Sequence, residues 1–255
     1  MVHCDAPIGI LCAMEEEQAL LVAALGDPPA LPGAGLEARR GRLEDYDVVV
    51  AAAGVGKVRA AATATLLMER FRCRALVLTG VAGGLTADLA IGDLVIAERV
   101  IDIDYGRLTD TGRRVYQPGT LPLPGVRPDP GYLLPADVTE RIRARLAATS
   151  LKATLGTVLT GDAFLASARL RDELAVQWSA LAIEMEGSAV CGVAERFGVP
   201  WLVVRALSDR AGDESVSDFT ASLSSAAAAS ARLVRELLPI LDAMPPGNSE
   251  MSVVD

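Results

Sequence analysis

The chain has 255 residues, of which 51% are apolar and 22% charged, so there is ample material for one large α/β core and whole-chain disorder is excluded. A net charge of −9 repels a phosphate backbone and aromatics are only 4%, which excludes nucleic acid as a partner; the arginines at 39, 40 and 42 and at 141, 143 and 145 read as solvated faces. A single histidine, His3, and four scattered cysteines (Cys4, Cys12, Cys73, Cys191) argue against a zinc cage and a serine-histidine triad, leaving acid-base chemistry to the carboxylates.

In chain order, short apolar runs predict strands at 7–12, 36–43, 47–53, 75–79, 93–102, 154–160, 180–184 and 201–207. Segments of helical period predict helices at 15–25, 57–71, 136–148, 168–176, 186–197 and 217–242. Strands such as Val48-Val49-Val50-Ala51 and Ala75-Leu76-Val77-Leu78 do not alternate, as a sheet covered on both faces requires. The predicted architecture is therefore α/β, a central mixed, twisted sheet between two helical layers, in one domain over 1–243. Residues 104–135, with prolines at 118, 122, 124, 128, 130 and 135, predict a long ordered loop or lid, and 244–255 a disordered tail. The apolar run 7–14 is too short for a signal core and meets Glu15, Glu16 and Glu17 at once; with no bilayer-long stretch elsewhere, the reading is a cytoplasmic protein with reduced thiols and no membrane partner.

Two glycine-rich segments follow strands. Gly54-Val55-Gly56-Lys57 lacks the glycine and the hydroxyl residue of a phosphate loop, having Ala51 and Val58 instead. Gly80-Val81-Ala82-Gly83-Gly84 has Ala82 where a dinucleotide fingerprint needs its second glycine. Both read as flexible turns that pack strand ends or bring main-chain N–H groups close to a ligand. Three acidic segments sit where strands end: Glu15-Glu16-Glu17, Glu184-Met185-Glu186, and the run Val203 to Asp209 with Arg205 inside it. Strand carboxyl ends line the ligand crevice of open α/β sheets. An arginine within an apolar strand needs a carboxylate partner, so a purely structural Arg-Glu pair is the competing interpretation.

These segments, together with Gly92-Asp93 and Gly161-Asp162-Ala163-Phe164, resemble the nucleoside phosphorylase superfamily, most closely its methylthioadenosine/S-adenosylhomocysteine nucleosidase branch. The resemblance implies hydrolysis of the N-glycosidic bond of an adenine nucleoside through an oxocarbenium-like transition state, with no cofactor and no metal, by a homodimer. It implies that Glu17 activates the water, Arg205 orients the water and keeps Glu17 ionised, and Asp209 supports protonation of purine N7. It further implies that Glu186 holds the ribose hydroxyls, Met185 packs on the sugar, Phe164 stacks on the base and main-chain groups near Leu165 read its edge. Met14, Val81 and Ser208 complete the substrate-binding set. Oxocarbenium character is stabilised by nearby carboxylates, and adenine leaves readily only once protonated, which suits these residue types.

Two departures stand out. Val81 is apolar where the branch often has a small hydroxyl residue, and 100–106 lacks the histidine-aspartate pattern of close relatives, so the 5′ substituent is the least determined feature. A phosphorylase is the competing enzyme, although an acidic cluster would repel phosphate. A futalosine-type hydrolase and a non-catalytic nucleoside-binding module are further alternatives. Apolar residues in the lid, Tyr105, Val115, Tyr116, Leu121 and Leu123, support a homodimer as exposed surface in need of cover.

Overall fold

A computed structural model of the chain describes residues 6–31, 37–125 and 130–244. The tail beyond 244, His3 and Cys4 lie outside the described residues. The main sheet runs in the order β10-β9-β5-β11-β4-β1-β3-β2, where β1 is Ile8–Cys12, β2 Glu37–Leu43, β3 Tyr46–Ala52, β4 Ala75–Gly84, β5 Leu94–Asp102, β9 Ala153–Thr160, β10 Ala180–Glu184 and β11 Trp201–Asp209. A ninth strand, β8 (Tyr132–Leu133), adds to β5. Pairing is mixed: β1 is parallel to β3 and β4, β4 to β11, and β5 to β9, whereas β11 and β5 are antiparallel. β10 also pairs antiparallel with the end of β4, so β4, β11, β5, β9 and β10 close into a ring at one end of the sheet.

Helices α1 (Glu15–Ala24), α2 (Lys57–Phe71), α3 (Ala136–Ala147), α4 (Ala168–Trp178), α5 (Gly187–Phe197) and α6 (Ser215–Asp242) cover the sheet. The amphipathic α6 buries Ala226, Leu233, Val234 and Leu237, lies against β4 and β11, and carries α1 and α3 at its sides. α2 packs on α5, which contacts β4, β5 and β11. The core is aliphatic, with Ile8, Ile10, Val77, Leu78, Val203 and Val204 fully buried, in keeping with non-alternating central strands. No helix among the described residues is long and apolar enough to cross a membrane.

Three expectations are corrected. Residues 80–84 are not a turn: they continue β4, paired with β11 on one side and β10 on the other. The glycines there answer crowding, since a Cβ on Gly84 would stand 3.0 Å from Leu207 Cδ1, and Gly80 has in addition a φ of +154°. The lid contains a hairpin, β6 (Gly106–Thr109) and β7 (Gly112–Val115), turning at Asp110-Thr111, as well as β8; residues 126–129 within it lie outside the described set. Two of its apolar residues, Val115 and Tyr116, are buried within the chain, whereas Leu121 and Leu123 are exposed.

Candidate active site

The closed end of the sheet places the carboxyl ends of β1, β4, β10 and β11 side by side, and a cavity of about 320 Å³ opens there. Glu17, Arg205, Asp209, Glu186 and Ser208 line its polar part, and Met14, Val81, Phe164, Leu165 and Met185 lie in the same wall. The structure thus brings together all ten residues singled out from the sequence. It adds Val55, Ile183, Glu184 and Phe219.

Glu17 arrives from the first turn of α1, which begins as soon as β1 ends. Its Oε2 accepts from the Ala13 and Met14 N–H groups at 2.8 and 3.0 Å, and its Oε1 from the Val81 N–H at 2.9 Å. Only 2% of the residue is exposed. Burial pushes its pKa up, and neither the Arg205 charge nor the three N–H groups outweigh that. The Arg205 charge is the largest of the effects that favour the ionised acid, without cancelling the upward push of burial. The backbone bonds orient the carboxylate, while its raised proton affinity suits a general base.

Arg205 is fully buried in β11, opposite Gly80 of β4. A Cβ on Gly80 would fall 2.3 Å from Glu17 Oε1 and 2.8 Å from Arg205 Nη1, so the missing side chain is what lets acid and guanidinium approach across the strand. Arg205 Nη2 donates to Glu184 and, at 3.1 Å, to Glu186. Its Nε has no hydrogen-bond partner among the described residues. The buried Arg-Glu pair foreseen as a structural alternative therefore exists, and it is part of the cavity wall.

Glu184 was noted in the sequence only as one of two acids at the end of its strand, with no role of its own. Its carboxylate accepts from Thr160 Oγ1, from the Glu186 N–H at 3.0 Å, from the Gly187 N–H and from Arg205. In the sequence nothing separates it from Glu186: both are acids at the end of one strand, and only their partners differ. Glu184 fixes the turn, and Glu186 follows from it. Glu186 Oε1 accepts from the Gly56 N–H at 2.8 Å. Burial and the neighbouring Glu184 and Glu17 charges raise its pKa to about 7 against the pull of Arg205 and Gly56.

Asp209 ends β11. Its Oδ1 accepts from the Ala211 N–H at 2.8 Å, and its Oδ2 lies 2.9 Å from Ser208 Oγ. Burial, aided by Asp218, raises its pKa over the opposing effect of the Ala211 N–H and the Ser208 hydroxyl, which suits a proton donor. Phe164, 47% exposed, meets Phe219 of α6 edge to face, ring centres 6.0 Å apart. The Leu165 carbonyl accepts from Ser215 Oγ at 3.4 Å. The cavity can thus hold a flat ring against Phe164 near Asp209 and present Glu17 and Glu186 to a polar group attached to that ring.

Comparison with known proteins agrees with this geometry. The family model described as the phosphorylase superfamily matches residues 7–239. A 5′-methylthioadenosine/S-adenosylhomocysteine nucleosidase of Mycobacterium bovis is 42% identical over 92% of this chain and 98% of that protein. Among solved structures, the S-adenosylhomocysteine nucleosidase of Streptococcus pyogenes in complex with 5-methylthiotubericidin superposes with a TM-score of 0.82 at 30% identity, covering 96% of this chain and 100% of that one. The futalosine hydrolase of Helicobacter pylori gives 0.81 at 28% identity, covering 92% and 97%. A match running nearly end to end, on a fold whose strand ends gather these acids, makes the chain a member of the phosphorylase superfamily, in its methylthioadenosine/S-adenosylhomocysteine nucleosidase branch.

Proposed function

We infer that the chain is a nucleosidase: it hydrolyses the N-glycosidic bond of 5′-methylthioadenosine, S-adenosylhomocysteine or a related 5′-substituted adenine nucleoside and releases adenine. The observation that carries this reading is Glu17, a buried carboxylate oriented by three backbone N–H groups and raised in pKa, in one cavity with Asp209. In the mechanism proposed, Asp209 stabilises or donates the proton at N7, and the C–N electron pair leaves with adenine. The sugar cation that forms is stabilised by Glu17 and Glu186. Glu17 takes a proton from water as its oxygen bonds to the anomeric carbon, with Arg205 Nη1 beside it. Glu186 accepts from the ribose hydroxyls, Met185 packs on the sugar, and Phe164 stacks on the base.

A crevice lined by Glu17, Glu184 and Glu186, with its Arg205 guanidinium already paired to two of them, offers no other cation for inorganic phosphate among the described residues, which favours water as nucleophile over phosphorolysis. Met14, Val55 and Phe219 add an apolar surface suited to a thioether. The futalosine hydrolase relative keeps a larger 5′ group open as a second substrate. Incubation with methylthioadenosine, with and without phosphate, tests the reading: free methylthioribose at a phosphate-independent rate is the expected product, and methylthioribose 1-phosphate would overturn it.

We further propose a homodimer. What supports it is the groove between α2 and α5, about 650 Å³, beside Val58, which is 82% exposed, and near Leu133, also exposed. We take the site of action to be the cytoplasm, because Cys12, Cys73 and Cys191 are buried free thiols.

A further inference from the structure

The segment Gly54-Val55-Gly56-Lys57, which fits no phosphate loop, ends in a lysine that no step above uses. Lys57 opens α2 outside the substrate cavity, its side chain 17% exposed. Its Nζ donates to Asp102 at 2.9 and 3.1 Å and to Asp104 at 3.0 Å. Each carboxylate reaches a different wall. Asp102 Oδ2 accepts from Ser188 Oγ at 3.0 Å, two residues beyond Glu186. Asp104 Oδ2 accepts from the N–H of Asp162 at 2.6 Å, and Asp162 Oδ1 in turn accepts from the Lys57 N–H at 3.0 Å, just before Ala163 and Phe164. The next amide back, that of Gly56, is the one that holds Glu186.

We propose that Lys57 is a positioning residue: by tying Asp102 and Asp104 to the start of α2, it holds the Gly56 amide against Glu186 and the Asp162 loop behind Phe164. The proposal rests on the reading of Glu186 as the group that binds the ribose hydroxyls. The ammonium is taken up by carboxylates, with Asp162 Oδ2 3.8 Å away as well. Burial opposes its charge, yet the bonds to Asp102 and Asp104 raise its pKa, so the tie persists across the neutral range.

The test compares kcat and KM on methylthioadenosine and on its 2′,3′-dideoxy analogue for Lys57→Met, Lys57→Arg, Ser188→Ala and Glu186→Gln. Lys57→Met is expected to lose about 10- to 100-fold in kcat/KM on methylthioadenosine, as displacement of a binding group does, and about twofold or less on the analogue. Lys57→Arg should recover most of the loss. Ser188→Ala, which leaves every charge in place, should follow the same pattern more weakly and reads the proposal if Lys57→Met fails to fold. Equal losses on the two substrates for Lys57→Met and Ser188→Ala, with a selective loss for Glu186→Gln, would overturn the proposal alone. Equal losses for Glu186→Gln as well would overturn the reading of Glu186, and the proposal with it.

Discussion

Asp209 and Ser208 share one hydroxyl proton: Ser208 Oγ lies 2.9 Å from Asp209 Oδ2 and 3.3 Å from the Ala82 carbonyl, and it cannot donate to both. When Asp209 is protonated the serine turns to the carbonyl and accepts from the acid, an arrangement that suits the proton-donor role proposed above. Asp209→Asn keeps the shape and removes the proton, and kcat on methylthioadenosine should fall about 10²- to 10⁴-fold with KM little changed. A nitrophenyl riboside, whose leaving group needs no acid, should lose far less; equal losses would assign Asp209 to structure. Glu186 makes a second prediction at this scale. Its folded pKa of about 7 lies above the unfolded value of 4.5, so its contribution to stability is fully present below about pH 4.5 and lost as pH rises through 7. Two and a half pH units correspond to about 3 kcal/mol as an upper bound. The wild-type Tm should decline between pH 5 and 8, and Glu186→Gln should flatten the decline; a wild-type Tm that rises over that interval would contradict the assignment.

At the scale of elements, the site depends on how α6 is pinned to the glycine-rich end of β4. Ser230, fully buried in α6, bonds to Thr79 Oγ1 at 2.6 Å and accepts from the Gly80 N–H at 3.2 Å. Ser230→Ala strands both groups and should cost about 1–3 kcal/mol in urea unfolding. Activity should fall as well, since Gly80 sets the gap between Glu17 and Arg205. Most helices and strands were legible because their periods differ and their ends carry acids; position placed the acidic segments at strand ends, and it was the family resemblance that joined Glu17, Glu186, Arg205 and Asp209 into one site. Gly80 to Gly84 were misread because a glycine run looks like a turn in one dimension, whereas here the want of side chains serves neighbours far away in sequence, Glu17 and Arg205 among them. The β6–β7 hairpin was hidden by the proline-rich stretch after it. Glu184 was given no role of its own because an acid that bonds Thr160, Arg205 and two amides differs from its neighbour Glu186 only in its partners, which sequence does not list.

For the whole molecule, the expected state is a pair of chains. Sedimentation at micromolar concentration should give twice the chain mass, and Val58→Glu, placing a charge on the exposed start of α2, should shift the protein toward the single chain. A wild-type species of single-chain mass would exclude the dimer. The ring of strands has a further consequence, for the order in which the molecule can be made. One of its members, β11, lies between β4 and β5 yet is the last strand among the described residues. During synthesis, every strand emerges before the one that fills that slot, and the emerging chain carries two open sheet edges, rich in Val, Leu and Ile, facing an empty position. Such edges recruit other chains, so a ribosome stalled before residue 201 leaves a product prone to aggregate as well as one lacking Arg205 and Asp209. Filling that slot brings in the strand that carries Arg205 and Asp209 and closes the ring of strands in the same step.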